Sequence, residues 1–374
     1  MKSKHQKHAK LPKPFKGLYH RNEWEIIGPN CKDIKALVHS LAEGLENYSS
    51  AYLDASHSTS EEPKKLSEFT SSISGFDLSS SEELNQYNSK AYFSSADLLF
   101  INGNHFRGSN QILVLDESRF EKLKGKLDIL NNVRLVVLNE ADSEIPDFLK
   151  EKLKGNGDIR TLRIDETYRI CSFISKQLAH SSPELYGLVL SGGKSIRMGK
   201  DKASIVYYEK EQSEHEADML NEFCSNTFIS CRTDQLEDLN SEYAKIEDSF
   251  KGLGPFGGIL SAFREYPDKA FLTLACDLPF VTKEIVEILV ANRDPGKLAT
   301  CFYNPDTDFP EPLITIWEPR AYPVMLHFLA QGYSCPRKVL INSDVKLIKE
   351  IDKNAFFNVN TASDFLETQR RLEG

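Results

Sequence analysis

One short segment, residues 188–202, constrains the fold of this chain more than any other. An apolar run at residues 188–190, typical of a buried strand, leads into residues 191–202, where three glycines and four cations share twelve positions. Glycine lets backbone N–H groups approach an anion closely, and Arg197 and Lys202 can neutralise phosphate oxygens. The segment predicts an α/β sheet with a polyphosphate-binding loop, and a solvated glycine turn is the simpler alternative.

The length of 374 residues exceeds what one hydrophobic core normally supports, so two domains are expected. Residues 180–183 interrupt a helical pattern just before a new apolar run begins at Leu185. We therefore predict a basic tail at residues 1–22, an α/β domain at residues 23–182 and a second domain at residues 183–374.

Charge and composition exclude several classes of protein. A net charge of −9 argues against the broad basic surface that binds nucleic acid. No apolar run reaches the roughly 18 residues of a membrane helix, and the Lys- and His-rich residues 1–16 lack the apolar core of a secretory signal. The seven cysteines are scattered and show no CxxC spacing for zinc. We expect a cytoplasmic protein with reduced thiols and with neither nucleic-acid nor membrane partners.

The N-terminal half alternates strand and helix patterns, which predicts an α/β domain. Residues 49–95 are Ser-rich and too polar for a continuous buried element, so long mobile loops are expected there. The apolar strand runs are residues 25–27, 98–101, 112–115 and 134–138, and the apolar positions that share one helical face are Ile34, Leu37, Val38, Leu41 and Leu45.

Three blocks in the C-terminal half resemble one family. Residues 190–203 match, without interruption, the LxGGxSxRMGxDKA pattern of nucleotidyltransferases of the molybdenum cofactor guanylyltransferase (MobA) type. Residues 247–259 are similar to that family's Asp followed by a GxGPLxGI loop, and residues 270–280 to its CDxPF motif. The resemblance implies a Rossmann-like three-layer sandwich.

Simpler explanations exist for the second and third blocks. Residues 247–259 also fit a glycine-rich turn before a helix at residues 259–263. The apolar run that ends in Asp277 places this carboxylate at the carboxyl end of a central strand, where open α/β sheets bind ligands. An Asp that caps the helix after Pro279 is the alternative.

Later segments resemble the family's regions for the second substrate. Residues 311–314 are similar to its EPL strand, and residues 334–340 to its basic segment near the acceptor, with Cys-Pro at 335–336 as a departure; a solvated basic turn is the alternative. Residues 357–365 resemble FxNINTPEDL, in which Thr361 and Asp364 form a predicted capping pair for a helix at residues 365–372.

The resemblance implies transfer of GMP from GTP to the terminal phosphate of molybdopterin, with Mg²⁺ as cofactor. Pyrophosphate and molybdopterin guanine dinucleotide would be the products, and molybdoenzymes or their chaperones the recipients. The Gly-Gly pair at 192–193 is typical of the guanylyl rather than the cytidylyl enzymes. A transferase that uses CTP or another phosphorylated acceptor, such as a sugar phosphate, and a non-catalytic scaffold for the molybdenum cofactor are the alternatives.

The resemblance also assigns individual residues. Arg197, Lys202 and Asp277 are the implied catalytic residues, and Asp277 is the implied metal ligand. Arg232 departs from the family, which often has Asn at this strand end. The implied acceptor-binding residues are Arg337, Asn358 and Asn360. The implied nucleotide-binding residues are Leu190, Gly192, Gly193, Lys194, Ser195, Arg197, Met198, Gly199, Lys202, Arg232, Asp248, Gly254 and Pro255.

The N-terminal half weakly resembles a second family. Residues 26–33 lie between a strand and a helix, as a P-loop would, but lack GxxxxGK[ST]. Residues 97–104 resemble the strand-end region of the molybdopterin-guanine dinucleotide adaptor (MobB type), with Asn102 where an acid is expected. This implies a fused, degenerate P-loop domain, and an unrelated α/β domain for docking or dimerisation is the alternative.

Overall fold

Two β-sheets organise the chain. The computed structural model describes residues 10–13, 17–56, 67–72, 75–80, 82, 84–85, 87–139, 144–157, 159–192, 206–208, 210–237, 239, 241–349 and 352–373. Phe15–Ser181 forms one compact unit, and Ser182–Gly374 belongs to the other. Among the described residues, no helix has the length and apolarity needed to cross a membrane.

The strands of the N-terminal unit form one six-stranded sheet and a separate hairpin. They are β1 (Glu23–Ile27), β2 (Ser50–Leu53), β3 (Glu68–Ser72), β4 (Gly75–Ser79), β5 (Leu98–Asn102), β6 (Asn110–Leu115), β7 (Val133–Leu138) and β8 (Arg160–Arg163). The sheet order is β2-β5-β1-β6-β7-β8, and all its pairs are parallel. From β1 the chain adds β2 and β5 on one side of the sheet and then β6, β7 and β8 on the other side. The direction in which strands are added therefore reverses beside β1.

Helices cover both faces of this sheet. They are α1 (Cys31–Gly44), α2 (Asn88–Phe93), α3 (Phe120–Lys124), α4 (Asp147–Leu153) and α5 (Thr167–His180). Neighbouring residues of a strand point to opposite faces. Ile26 packs in a cluster with residues of α1 and α5, whereas Ile27 packs with residues of α3 and α4. The predicted α/β class and the predicted buried face of α1 are confirmed; the resemblance to the MobB type stays a prediction.

The expectation of long loops across residues 49–95 is wrong in part. Ser50–Leu53 forms an edge strand that pairs in parallel with β5, and β3 pairs with β4 in a hairpin. Strand pairing joins backbone groups, so a polar segment can form a strand where one edge stays open to solvent. Of the four residues in β2, only Leu53 is buried. Residues 57–66 lie outside the described residues.

The C-terminal unit contains a seven-stranded mixed sheet of order β11-β10-β9-β12-β14-β13-β15. Its strands are β9 (Leu185–Leu190), β10 (Asn226–Cys231), β11 (Ala244–Glu247), β12 (Ala270–Ala275), β13 (Ala299–Asn304), β14 (Phe309–Trp317) and β15 (Val345–Ile348). Strand β14 is antiparallel to β12 and β13, and the other pairs are parallel. Leu190 lies opposite Ala275, so β9 and β12 end at the same edge of the sheet.

Helices also cover both faces of this sheet. The helices are α6 (Gln212–Asn221), α7 (Pro255–Glu265), α8 (Lys283–Ala291), α9 (Ala321–Ala330), α10 (Pro336–Ile341) and α11 (Ala362–Glu373). Leu220 of α6 packs beside Gly187, where a Cβ would stand 3.0 Å from the Leu220 Cβ. Gly258 of α7 lies against Leu190. Since residues 187 and 190 point to opposite faces, the predicted three-layer arrangement is confirmed.

Two helix boundaries differ from the prediction. Helix α7 begins at Pro255 rather than at residue 259, because proline is favourable in the first helical turn. Helix α11 begins at Ala362 rather than at residue 365. The predicted capping pair is confirmed: the Thr361 amide donates to Asp364 Oδ2 at 2.8 Å, and the Asp364 amide donates to Thr361 Oγ1 at 3.2 Å.

A buried ion pair gives a test of the C-terminal core. Arg293 donates from Nε and Nη2 to the two carboxylate oxygens of buried Glu318, at 2.7 and 3.0 Å, and also to the Pro183 carbonyl. Arg293→Ala leaves that carboxylate buried without its counter-ion, so we expect the free energy of unfolding to fall by about 3–5 kcal/mol. Urea unfolding followed by Trp317 fluorescence in a Trp24→Phe background measures the change.

Lys353→Ala is the matched control. Lys353 pairs with Asp306 at 3.3 Å, and both side chains are exposed. Loss of such a pair costs less than about 1 kcal/mol because water solvates the remaining charge. If Arg293→Ala and Lys353→Ala lose the same free energy of unfolding, burial does not make the Arg293–Glu318 pair more important than an exposed pair.

Candidate active site

A cavity that is open to solvent lies at the carboxyl edge of the C-terminal sheet. Strands β9, β10 and β12 are parallel, so the residues that follow them meet at this edge. The residues that line the cavity are Leu190, Gly192, Ser230, Asp248, Gly254, Pro255, Gly258, Ala275, Cys276, Asp277 and Leu313.

A buried carboxylate is fixed at one end of the cavity. Ser230 donates its hydroxyl to Asp248 Oδ1 at 2.8 Å, and the Asp248 amide donates to the Cys231 carbonyl at 2.9 Å. Burial raises the pKa of Asp248, while the Ser230 hydrogen bond and the charge of Arg232 oppose the rise. A Cβ at Gly192 would stand 3.0 Å from Asp248 Oδ2. The carboxylate therefore lies directly against the start of the glycine-rich loop.

Glycine is required on the adjoining wall, where α7 begins. Gly254 has φ +58°, a left-handed conformation that favours glycine, and Pro255 follows as the first helical residue. A Cβ at Gly258 would stand only 2.6 Å from the Ser230 hydroxyl. The block at 247–259 is thus a turn before a helix, as the simpler explanation holds, and it also lines the cavity.

The second carboxylate, Asp277, comes after Cys276, the first residue beyond β12. Helix α8, which comes after Pro279, begins at Lys283 with Thr282 as its N-cap residue, so the alternative that Asp277 caps this helix is wrong. The Asp277 carbonyl accepts a hydrogen bond from the Val359 amide at 2.9 Å. The predicted placement of Asp277 at the carboxyl end of a central strand is confirmed.

Buried acids surround this end of the cavity. Burial raises the pKa of Glu216 in α6 well above its usual range, and it also raises the pKa of Glu311 in β14. The charge of Asp277 adds to both shifts. Gln212 Nε2 donates to Glu216 Oε1 at 3.0 Å, and Arg337 lies 3.5 Å from Glu311 Oε2. Both acids are therefore close enough to Asp277 for its charge to disfavour their ionisation.

The donor atoms near Asp277 are compatible with Mg²⁺. This hard cation takes carboxylate and phosphate oxygens and retains water, so one protein carboxylate is sufficient when a triphosphate is bound. Within the described ranges, no three His, Cys, Asp or Glu side chains cluster so as to hold a metal by themselves. An ion at Asp277 would accordingly depend on oxygens from the substrate.

Arg232 does not line the cavity. Its guanidinium pairs with Asp234, through Nε at 3.0 Å and Nη2 at 3.3 Å, and Nη1 donates to the Gly192 carbonyl at 2.8 Å. Arg232 thus holds the beginning of the loop, and its contact with the nucleotide stays a prediction.

The three predicted acceptor residues lie in two places. Asn358 and Asn360 flank Val359, whose amide hydrogen bond to Asp277 brings them to the β12 end of the cavity. Asn358 Oδ1 is buried and has no hydrogen-bond partner. Arg337, from α10, lies instead beside Glu311.

The described residues do not include most of the predicted phosphate loop. Leu190, Gly192, Asp248, Gly254, Pro255 and Asp277 are brought together around the cavity. The predicted residues that lie outside the described ones are Gly193, Lys194, Ser195, Arg197, Met198, Gly199 and Lys202.

Sequence reasoning missed Ser230, Glu216 and Tyr207. Ser230 was detectable as a hydroxyl within the otherwise apolar end of β10. The ring of Tyr207 packs on Phe365 with centroids 5.5 Å apart, and its hydroxyl is buried without a hydrogen-bond partner. Burial, and then the charges of Cys276, Asp277 and Asp364, raise the pKa of Tyr207. No local pattern marks Tyr207 or Glu216, because only the fold brings them near Asp277.

Comparisons with known proteins agree with this geometry. Residues 187–346 match the MobA-like NTP transferase domain. A probable molybdenum cofactor guanylyltransferase of Carboxydothermus hydrogenoformans is 31% identical over 185 residues, which cover 47% of this chain and 91% of that protein. Through its C-terminal half, the chain belongs to the MobA-like nucleotidyltransferase family. The predicted family and the enzyme class, nucleotidyltransferase, are confirmed.

Two further comparisons each cover half of this chain. A molybdenum cofactor biosynthesis bifunctional protein of Synechocystis is 37% identical over 186 residues, which are 50% of this chain and 54% of that protein. The chain thus spans about half the length of this relative. The crystal structure of molybdopterin-guanine dinucleotide biosynthesis protein A from Archaeoglobus fulgidus is similar to 50% of this chain and 98% of its own, with 27% identity and a TM-score of 0.43.

The Ser230–Asp248 hydrogen bond predicts a pH-dependent loss of stability. Ser230→Ala raises the pKa of Asp248 further, because the removed hydroxyl stabilises the ionised form. A carboxyl group whose pKa is higher in the folded than in the unfolded protein makes the folded state less stable as the pH rises. The loss begins at the unfolded pKa, about 3.9, and is complete above the folded pKa. We expect Ser230→Ala to lower the free energy of unfolding by about 1 kcal/mol near pH 4 and by about 2–3 kcal/mol at pH 7. Urea unfolding at the two pH values measures the difference.

The same substitution in an Asp248→Asn background is the control. Without an ionisable carboxylate, the cost of Ser230→Ala should be equal at the two pH values. A pH-independent cost in the native background would show that the hydroxyl does not favour ionised Asp248.

Proposed function

We propose that the C-terminal half transfers GMP from GTP to the terminal phosphate of molybdopterin and thereby forms molybdopterin guanine dinucleotide. The observation that carries this proposal is the cavity between the start of the glycine-rich loop at Gly192 and the strand-end carboxylate of Asp277. The names of the relatives supply the substrate class. A phosphate oxygen of molybdopterin bonds to the α-phosphorus of GTP, the bond from that phosphorus to the bridging oxygen breaks, and pyrophosphate leaves.

The protein supplies positioning and charge rather than a nucleophile. Backbone amides of residues 193–199 and the Arg197 guanidinium bind the β- and γ-phosphates. Lys202 binds the α-phosphate and the incoming phosphate. Both substrates are anions, so these cations bring the reacting oxygen and phosphorus together and stabilise the charge that develops between them.

The nucleoside occupies the end of the cavity near Asp248. Ser230 holds this carboxylate in one orientation, so it can accept hydrogen bonds from N–H or O–H groups of the nucleoside. Gly192 and Gly193 leave room for close approach of the nucleotide. The Gly-Gly pair supports guanine rather than cytosine at this position.

Asp277 is the residue that would hold Mg²⁺, and the fit rests on its carboxylate and the acidic surroundings described above. When bound, the ion neutralises the triphosphate oxygens. Asn358 and Asn360 offer amide groups to molybdopterin at the same end, and Arg337 offers a positive charge beside Glu311. Molybdoenzymes or their chaperones would receive the product.

Pyrophosphate release from the full-length protein with Mg²⁺ and molybdopterin tests the reaction. We expect release with GTP and none with CTP. Asp277→Asn should abolish the Mg²⁺-stimulated part, whereas Asp344→Asn, which changes an exposed carboxylate at the opposite end of the sheet, should retain it. Release with CTP alone would overturn the choice of base, and release with neither would overturn the guanylyltransferase proposal.

Lys202 has a predicted role that a single substitution can test. Lys202→Ala removes one preorganised charge from the transition state, worth roughly 3 to 4 kcal/mol, so turnover should fall by about 10² to 10³. Thermal unfolding should keep its cooperativity, because the change leaves the strands and helices intact. Near-normal turnover in this variant would refute the assignment.

A further inference from the structure

The N-terminal unit contains a second cluster of reactive side chains. Cys31 is the first residue of α1, just beyond the carboxyl end of β1, and His105 follows β5. Because β1 and β5 are adjacent and parallel, these two residues meet at one edge of the sheet, beside the point where the strand order reverses.

The sulfur of Cys31 has two polar neighbours from the segment that follows β5. His105 Nε2 lies 3.2 Å from Cys31 Sγ, and Asn104 Nδ2 donates to the same sulfur at 3.8 Å. The Asn104 amide is held in this orientation because Nδ2 also donates to the Pro29 carbonyl at 3.0 Å and Oδ1 accepts from Lys126 Nζ at 3.0 Å. Both partners point N–H groups or a positive charge at the sulfur.

A carboxylate also lies near the imidazole. Asp54 Oδ1 lies 3.9 Å from His105 Nε2. Tyr52 donates its hydroxyl to Asp54 Oδ2 at 2.9 Å, and Asn102 donates to Oδ1 at 2.8 Å. The same nitrogen of His105 therefore faces both Cys31 and Asp54. This differs from a hydrolytic triad, in which the carboxylate and the nucleophile contact opposite ring nitrogens.

The electrostatic balance favours the thiolate. Partial burial by itself would raise the pKa of Cys31, but hydrogen bonds from Asn102, His105 and Asn104, together with the charge of His105, lower it. The positive N-terminal end of the 14-residue helix α1 acts in the same direction.

Solvent exposure distinguishes Cys31 from most of the other cysteines. Cys31 is partly exposed, and Cys335 is fully exposed. The buried cysteines are Cys171, Cys224, Cys231, Cys276 and Cys301. Cys335 thus offers a reference thiol within the same chain.

We propose that Cys31 is a nucleophilic thiol that undergoes exchange with low-molecular-weight disulfides, and that His105 positions and stabilises its thiolate. The Cys31 sulfur attacks one sulfur of the disulfide, a new S–S bond forms, and the original S–S bond breaks. The other half leaves as a thiolate, which takes a proton from water, so Cys31 is oxidised and the leaving sulfur is reduced. The site lies outside the nucleotidyltransferase domain and does not rest on the function proposed for it.

The pH dependence of alkylation tests the activation of Cys31. The full-length protein is treated with iodoacetamide over a series of pH values, and mass spectrometry gives the rate for each cysteine peptide. The midpoint of each rate curve reports that thiol's own ionisation and does not depend on its accessibility. The other titratable groups that face Cys31 are His105, Asp54, Tyr52 and Lys126.

We expect the midpoint for Cys31 to lie below that for Cys335. In His105→Gln, which keeps an amide donor but removes the charge, the Cys31 midpoint should rise, and alkylation at pH 6.5 should slow by roughly three- to ten-fold. Cys335 should react as before. A Cys31 midpoint at or above that of Cys335 overturns the proposal, and so does an unchanged midpoint in the variant.

Disulfide exchange is tested with bis(2-hydroxyethyl) disulfide, an uncharged reagent. At pH 6.5 we expect a mixed disulfide on the Cys31 peptide and none in Cys31→Ser. Absence of this adduct in the native protein overturns the proposed exchange. If His105→Gln unfolds, the buried cysteines become reactive, and the comparison of Cys31 with Cys335 in the native protein then decides.

Discussion

The parallel pairing of β9 with β12 is the constraint on which the C-terminal site depends. In this register Leu190 lies opposite Ala275, so the chain leaves both strands at one edge of the sheet. The loop that begins at Gly192 and the carboxylate of Asp277 are therefore neighbours in space, although they are distant in sequence. A slip of one residue would turn Leu190 away from the face that it shares with α7, because strand side chains alternate between faces.

The two carboxylates of the cavity differ in their surroundings. Asp248 is fixed by the Ser230 hydroxyl and lies against a glycine, an arrangement suited to recognising a polar ligand group. Asp277 shares its end of the cavity with Glu216 and Glu311, whose pKa values burial raises and Asp277 raises further. One end thus offers a fixed hydrogen-bond acceptor, and the other gathers carboxyl oxygens, which are the donor atoms that Mg²⁺ prefers.

The N-terminal unit uses the same edge of a parallel sheet for a different set of side chains. A P-loop would occupy the segment after β1, but this chain has Asn30 as the cap of α1 and Cys31 as its first residue. The positive end of the helix acts here on a sulfur, with His105 beside it. Similar sheet geometry therefore carries the proposed phosphate site in one unit and the proposed thiol site in the other.

The sequence by itself determined the α/β class, the strand at residues 188–190, the strand that leads to Asp277 and the capping of α11, because apolar runs and capping pairs are local patterns. Its motif blocks also indicated six residues that line the cavity, while the roles of residues 193–202 stay predictions. Only the tertiary structure decided that polar β2 joins the sheet edge, that Arg232 holds Gly192 rather than facing the cavity, and that Cys31 contacts His105. The physical reason is that these contacts join segments made adjacent by strand order, which no local pattern of side chains specifies.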